Sequence, residues 1–296
     1  MPFRLLTWNI NGTSQQNNGP DQLAEVIQHH RIDLVLLQEV AVNNCTLDAA
    51  LTARLGAGNY TLQYEVSNPT QQQRTWTDPA TGNSHTAQPA PQERYAIIRR
   101  QRGNGTYRVT INSIQALDYV NDVNVTTWIG ERHPNLRSAH PGNPRKMQRL
   151  SRPPLVDSNR YVQLGFRRPV LVDATYHGHA YSIFTWHAPQ GGGNGGANFS
   201  GQDARLGYAL WIRAGGGSHH PGARVILAGD LNARVAGVTG LNQNWPYAVH
   251  PTPGNIHNDG VSHIYAKGTH IQELNRRRVR NLANHSDHVA LAATVP

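Results

Sequence analysis

Cysteine is nearly missing from this chain. Cys45 is the single one in 296 residues, which excludes an internal disulfide and a zinc site built on thiolates, and leaves the redox compartment open. Long apolar runs are missing too, so no transmembrane helix is expected. The opening MPFRLLTWNING lacks an apolar core followed by a small-residue cleavage site, so no signal peptide is visible. A secreted or delivered bacterial effector, given as its mature chain, would read the same way. Lysine is scarce: of 27 basic residues only Lys146 and Lys267 are lysines. Acids are also short, 18 against those 27, for a net charge of +9 and a pI near 10.0. Arginine's planar fork grips phosphate through paired hydrogen bonds, so this balance suits a polyanionic partner. An arginine-rich codon usage would give the same composition.

What is present fits a soluble chain with a substantial core. Hydrophobic residues make up 38% and the mean hydropathy is −0.55, and the length allows one large domain or two small ones. Short apolar runs alternate with turn signals. FRLLTWN (Phe3–Asn9) and DLVLLQEV (Asp33–Val40) read as buried strands, as do YTLQYEV, RYAIIRR, TYRVTI, RPVLVDATY, AYSIFTWH, RVILAGDLN, SHIYAK and HVALAATV. Asp21–His30, with Leu23, Ala24, Val26 and Ile27, has helical spacing. Thr46–Leu55 reads as a second helix with Thr46 at its N-cap, and Gly201–Gly215 as a third. Many strands with few helices predict two packed sheets with helices outside. Residues 67–92, rich in Gln, Thr, Pro and Asn, read as a long loop. So do residues 131–160, where Arg132, Arg137, Arg145, Lys146, Arg149, Arg152 and Arg160 face only Glu131 and Asp157. The second loop either follows a phosphate backbone or is a solvated insertion. RRRVR (Arg276–Arg280) is a further basic cluster.

Several apolar strands end in polar residues of one chemical kind. Asn9 follows LLTW, Gln38 and Glu39 follow LVLL, and His187 follows SIFTW. Asp230 and Asn232 follow VILAG, while Asp287 and His288 precede VALAATV. A strand end holds a side chain rigidly, and function collects where such ends meet. Alone, each residue has an ordinary structural explanation; five such ends together point to a site. Asp230 and Asn232 stand two apart on an extended segment, so both face one side, with Leu231 turning back to the core.

In order along the chain, TWNING, LLQEV, QERYAII, RRPVL, TWHAPQGGG, AGDLNA and SDH resemble the motifs of the endonuclease/exonuclease/phosphatase superfamily. QERYAII is similar to the DNase I group, and HAPQGGGNGG followed by GDLN to the cytolethal distending toxin B-subunit group. The resemblance spans residues 7–288. It implies a single domain over 1–296, an α/β four-layer sandwich of two packed mixed β-sheets with helices outside, with loop insertions around 67–92 and 131–160. It implies a metal-dependent phosphodiesterase whose site lies at one edge of the sandwich.

Phosphodiester cleavage needs a cation on the phosphate, a base for the water and an acid for the leaving oxygen. By the resemblance, Glu39 is a Mg²⁺ ligand assisted by the amide oxygen of Asn9 and by the charge of Asp287, with Mn²⁺ or Ca²⁺ as other ions. His187 and His288 form the proton-transfer pair: His288 as general base, His187 as general acid, or the reverse. Glu93 supports His187. Asp230 and Asn232 orient water and phosphate, or bind a second ion, and Arg167 or Arg168 clamps a phosphate oxygen. The family also places an Asp at the start of a late strand as partner to the second histidine. Here that stretch is NDGVSHIYAKG, where His263 falls at the expected position and Asp259 supplies the carboxylate only after a register shift.

Three readings of function stand. The first is a DNA endonuclease of low sequence specificity, of the toxin or DNase I type, with DNA as partner and, for a toxin, a delivery subunit or carrier. The second is a phosphoinositide phosphatase or phospholipase, because GDLNAR resembles the GDLN-x-R motif of inositol polyphosphate 5-phosphatases and a basic surface suits anionic lipid. The third is a non-catalytic binding module. Oligomeric state is not legible.

Overall fold

The structure, a computed structural model, describes residues 2–11, 18–41, 46–66, 74–77, 84–87, 94–116, 169–187, 224–231, 247–249, 262–274, 277–286 and 288–296. In chain order these form β1 (Phe3–Asn9), α1 (Gly19–His30), β2 (Leu34–Val40), α2 (Leu47–Leu55), β3 (Tyr60–Val66), β4 (Arg74–Thr77), β5 (Ser84–Ala87) and β6 (Arg94–Arg100). There follow β7 (Thr110–Ala116), β8 (Val170–Tyr176), β9 (His179–His187), β10 (Arg224–Asp230), β11 (Tyr247–Val249), β12 (Ser262–Lys267) and β13 (Gln272–Glu273). The chain closes with α3 (Arg277–Asn281), a 3-10 turn (Leu282–His285) and β14 (Leu291–Val295).

Two six-stranded sheets carry the fold, in the orders β13-β14-β1-β2-β6-β3 and β11-β12-β10-β9-β8-β7. Both are mixed, and each is built around one parallel pair. In the first, β1 runs parallel to β2 and antiparallel to β14. In the second, β9 runs parallel to β10, which is antiparallel to β12. A parallel pair brings two C-terminal strand ends side by side, and that decides where the site lies.

Period-two alternation sorts the side chains. Phe3 and Leu5 of β1 and Leu34 and Leu36 of β2 point between the sheets, where they meet Val170, Val172, Ile183, Ile226, Ala228 and Ile264. The residues between them, Leu6, Trp8, Val35 and Leu37, point outward into a second cluster with Leu23 and Ile27 of α1, Leu51 of α2 and Val279 of α3. The outer face of the second sheet is also buried, at Leu171, Phe184, Trp186, Leu227 and Tyr265. The two-sheet sandwich with helices outside is therefore present. The helix expected over 201–215 lies outside the described residues, as does the basic stretch 131–160.

Helix α1 has Pro20 in its first turn, which its fixed φ suits. It stops at Arg31 in a left-handed conformation, with the Ile32 amide donating to the Ile27 carbonyl at 3.0 Å. Thr46 does sit at the N-cap of α2, but its side chain makes no capping bond. One expectation changes. The segment 67–92 is not loop throughout: β4 and β5 pair as an antiparallel two-stranded unit inside it. The basic cluster at 276–280 overlaps α3, whose Val279 enters the outer apolar cluster. Among the described residues no helix is long and apolar enough to cross a membrane.

Candidate active site

Along the inward faces, the side chains change character toward one end. On β1 the inward series Phe3, Leu5 continues to Thr7 and Asn9. On β9, Tyr181 and Ile183 give way to Thr185 and His187, and on β10, Ile226 and Ala228 lead to Asp230. All five polar residues are buried. Because β1/β2 and β9/β10 are parallel pairs, the four polar ends fall together, one pair from each sheet. Strand β14 enters antiparallel to β1, so the segment holding His288 arrives at the same end.

Asp230 is the hub. Its Oδ2 accepts from Asn9 Nδ2 at 2.9 Å, and lies 3.4 Å from Nδ1 of His288 and 3.7 Å from Nε2 of His187. Asn9 Nδ2 also donates to Glu39 Oε1 at 3.0 Å, and that same oxygen is 3.1 Å from His187 Nε2. One amide group thus bridges two carboxylates, and one imidazole reaches both. The arrangement asks for a proton on Nε2 of His187. Exposure divides the members. His187 and Asp230 are 1% and 0% exposed at the side chain, whereas Glu39 is 22% and His288 12%. The solvent-facing members are one carboxylate and one imidazole.

Glu39 reaches this place through a backbone irregularity. In a regular strand Gln38 and Glu39 would point to opposite faces. The pairing of β2 with β6 slips between Leu37 and Val40, and Glu39 adopts a left-handed φ of 53°. Leu37 and Val40 then both pack outward, although three positions apart. The bulge turns the Glu39 carboxylate inward, as bulges beside active sites often do. A left-handed non-glycine residue costs about 1–2 kcal/mol.

Residues not assigned a role from the sequence hold these groups in place. Gln38 Nε2 donates to Thr7 Oγ1 at 3.0 Å and to Thr185 Oγ1 at 2.8 Å, joining the two sheets directly beneath the site. The His187 amide donates to the Tyr95 hydroxyl at 2.9 Å. Ser286 Oγ donates to the Asn9 carbonyl at 2.9 Å and accepts from the His288 amide at 3.2 Å, while Trp8 Nε1 donates to the His288 carbonyl at 3.2 Å. Gln38 had a sequence signal, a polar residue closing an apolar run. Tyr95 and Trp8 had none, since an apolar body hides a polar tip. At Gly229 a Cβ would come within 2.1 Å of the Trp186 carbonyl oxygen, so the glycine in AGDLN permits the close approach of β10 to β9 that sets Asp230 beside His187.

Of the expected site residues, Asn9, Glu39, His187, Asp230 and His288 are brought together. Glu93, Arg167, Arg168, Asn232, Asp259 and Asp287 lie outside the described residues. Two expectations shift. The Asn9 amide oxygen accepts from the Asn11 amide at 3.0 Å, so Asn9 meets the acids as a donor. His263 pairs with Gly229 in the β10/β12 register, and the residue opposite Asp230 is Ser262. Alternation therefore sends the His263 ring to the outer face beside Tyr265, with ring centroids 5.8 Å apart, away from His288. Among the described residues, the carboxylate that faces His288 is Asp230, at 3.4 Å.

A model of the Endonuclease/Exonuclease/phosphatase family matches residues 6–288. Among solved structures, the human Nocturnin catalytic domain with bound sulfate is similar at 13% identity and a TM-score of 0.57, over 100% of this chain and 94% of that one. D. rerio TDP2 complexed with a single strand DNA product is similar at 13% identity and a TM-score of 0.50, over 100% and 99%. Bacteroides thetaiotaomicron mannosyl-6-phosphatase is similar at 14% identity and a TM-score of 0.52, over 99% of each chain. At these identities the likeness shows the fold. A search of curated proteins gives no match.

Proposed function

The chain belongs to the endonuclease/exonuclease/phosphatase family, whose members hydrolyse phosphodiesters or phosphate monoesters, and on that premise we propose that it is a divalent-metal-dependent DNA endonuclease of low sequence specificity. The observation that carries the reading is the convergence of Glu39, Asp230, His187 and His288 at one end of the sandwich.

The donors fit a hard cation. Glu39 is the more exposed of the two acids, and its hard oxygens suit magnesium, which keeps most of its water and needs few protein ligands. Held there, the ion would neutralise phosphate charge and favour attack at phosphorus. The chain's own groups do the rest. His288, the more open imidazole, is placed to take a proton from the attacking water, with Asp230 at 3.4 Å to support its charged form. His187, enclosed between Glu39 and Asp230, is placed to give a proton to the leaving oxygen. Asn9 keeps the two carboxylates at fixed separation.

Two facts favour DNA among phosphoesters. The net charge is +9, concentrated in arginine over 131–160, and one similar structure is of a protein holding a single strand DNA product. Arginines that bind backbone phosphate give affinity without base readout, hence the low specificity. The test is nicking of supercoiled plasmid with Mg²⁺ or Mn²⁺, set beside phosphate release from phosphoinositides. We expect nicking that stops with chelator and falls by about 10²–10⁴-fold in His187→Ala and His288→Ala. Neutralising Arg145, Lys146, Arg149 and Arg152 should flatten the salt dependence of binding, by about 0.9 in log–log slope for each phosphate that the chain no longer neutralises. Phosphate release without nicking would move the assignment to lipid, and inertness in both assays would leave a binding module.

A further inference from the structure

The opposite end of the second sheet holds a different assembly. A cavity of about 400 Å³ opens there, lined by Tyr176, His177, His179, Arg224, Thr269 and His270 among others. Tyr176 closes β8, and His177 and Gly178, both with left-handed φ, turn the chain into β9 at His179. Arg224 opens β10, and Thr269 and His270 follow β12. These are the strand ends farthest from Asp230, about 20 Å away along seven-residue strands.

The wall is rich in donors, with the Pro296 oxygen an acceptor among them. Arg224 carries a permanent charge, and its Nη1 donates to the Tyr181 hydroxyl at 2.7 Å, which in turn donates to the Pro296 oxygen at 3.1 Å. The guanidinium is thus braced at one corner, with its remaining N–H groups left for a ligand. The His270 ring packs on Tyr247 at 4.6 Å and the His177 ring on Tyr176 at 4.3 Å. Tyr176 is 3% exposed, yet its hydroxyl has no hydrogen-bond partner among the described residues. Burial pushes the Tyr176 phenol above its ordinary pKa, with Tyr181 and the Asp33 carboxylate adding to the rise and Arg108 and Arg102 opposing it, so it stays protonated. No described lining residue is Asp or Glu. A cation is disfavoured beside a fixed guanidinium, and no three His, Cys, Asp or Glu among the described residues are spaced to ligate one.

We infer that this cavity is a second, non-catalytic binding site for a phosphate-type oxyanion, in a space large enough for a small phosphorylated molecule. The guanidinium supplies charge and a paired donor geometry, and the imidazoles of His177, His179 and His270 stand around it as further donors, with the Thr269 hydroxyl held toward the His270 carbonyl at 3.5 Å.

The experiment follows the imidazole signals of the full chain by NMR. The chain is titrated with inorganic phosphate and, separately, with a nucleoside 5′-monophosphate, at constant ionic strength against chloride. We expect saturable shifts of His177, His179 and His270 that persist in His187→Ala and weaken at least tenfold in Arg224→Gln. Tighter binding of the monophosphate than of phosphate would name a nucleotide as the source, and equal binding the free anion. Because Arg224 also braces Tyr181, His179→Gln on the exposed turn is a second variant, expected to weaken binding with an unchanged melting curve. Plasmid nicking should be unchanged in His179→Gln. Absence of saturable shifts in these three signals, or equal affinity in both variants and the wild type, would overturn the site. Neither result depends on whether the catalytic assignment holds.

Discussion

Asp230 and Asp33 are both buried aspartates at strand ends of the same sandwich, and their surroundings are opposite. Asp33 lies at the pole away from the catalytic cluster. Its Oδ2 accepts from the Arg4 amide at 2.9 Å, and its two carboxylate oxygens lie 3.5 Å from guanidinium nitrogens of Arg100 and Arg108. Asp230 is held instead by the Asn9 amide and faces two imidazoles, groups that are neutral or that titrate. A carboxylate neutralised by fixed cations is spent on architecture. One held by neutral donors keeps a charge that protons, an ion or a phosphate can feel.

The largest effect that can break this comparison is at the catalytic pole. Glu39→Gln preserves size but removes the charge that faces His187 and Asn9. Plasmid nicking should fall by about a hundredfold or more, the scale of losing one charged catalytic group, with an unchanged melting temperature. A rate within a few-fold of wild type would mean that the charge at position 39 is architectural too.

Next comes the spacing of the pole. Gly229→Ala places a methyl against the Trp186 carbonyl oxygen. Relief requires β9 and β10 to part, at about 1–3 kcal/mol by the usual cost of overpacking. The melting temperature should drop by several degrees, and nicking should fall further than stability explains, because Asp230 and His187 move apart. An alanine variant with wild-type melting and rate would show that the two strands can shift freely there.

Much of this geometry was legible beforehand, for a physical reason. Strands β1, β3, β6 and β12 coincide with the segments FRLLTWN, YTLQYEV, RYAIIRR and SHIYAK, because the runs are apolar, short and bounded by turns. The five residues that converge, Asn9, Glu39, His187, Asp230 and His288, were legible as polar residues at the ends of apolar runs. What was hidden depends on single backbone states. The bulge at Glu39 has no glycine or asparagine to announce its left-handed φ. The β4–β5 pair is polar and Thr-rich, so it read as loop. The face of His263 follows from a one-residue register, and a slip of one reverses every side chain. That is why Ser262, not His263, stands across from Asp230.

The smallest expected effect is a slope, and it tests the architectural pole. Burial pushes the Asp33 carboxyl above the ordinary aspartate value of 3.8, and the Arg4 amide, Arg108, Arg100 and Arg102 pull it back without cancelling the rise. For a group whose folded pKa lies above its unfolded one, the stabilising contribution is complete below the unfolded value. It is lost as pH rises through the folded one. Asp33→Asn removes that titration. Its absolute stability also changes, since Arg100 and Arg108 lose their counter-ion, but that offset does not vary with the protonation of residue 33. Urea unfolding from pH 4 to 7 should therefore show wild type losing ground to the asparagine variant as pH rises. If wild type gains instead, the guanidiniums outweigh burial. Asp33 would then be a fully satisfied anion, and the two aspartates would differ in the permanence of their partners alone.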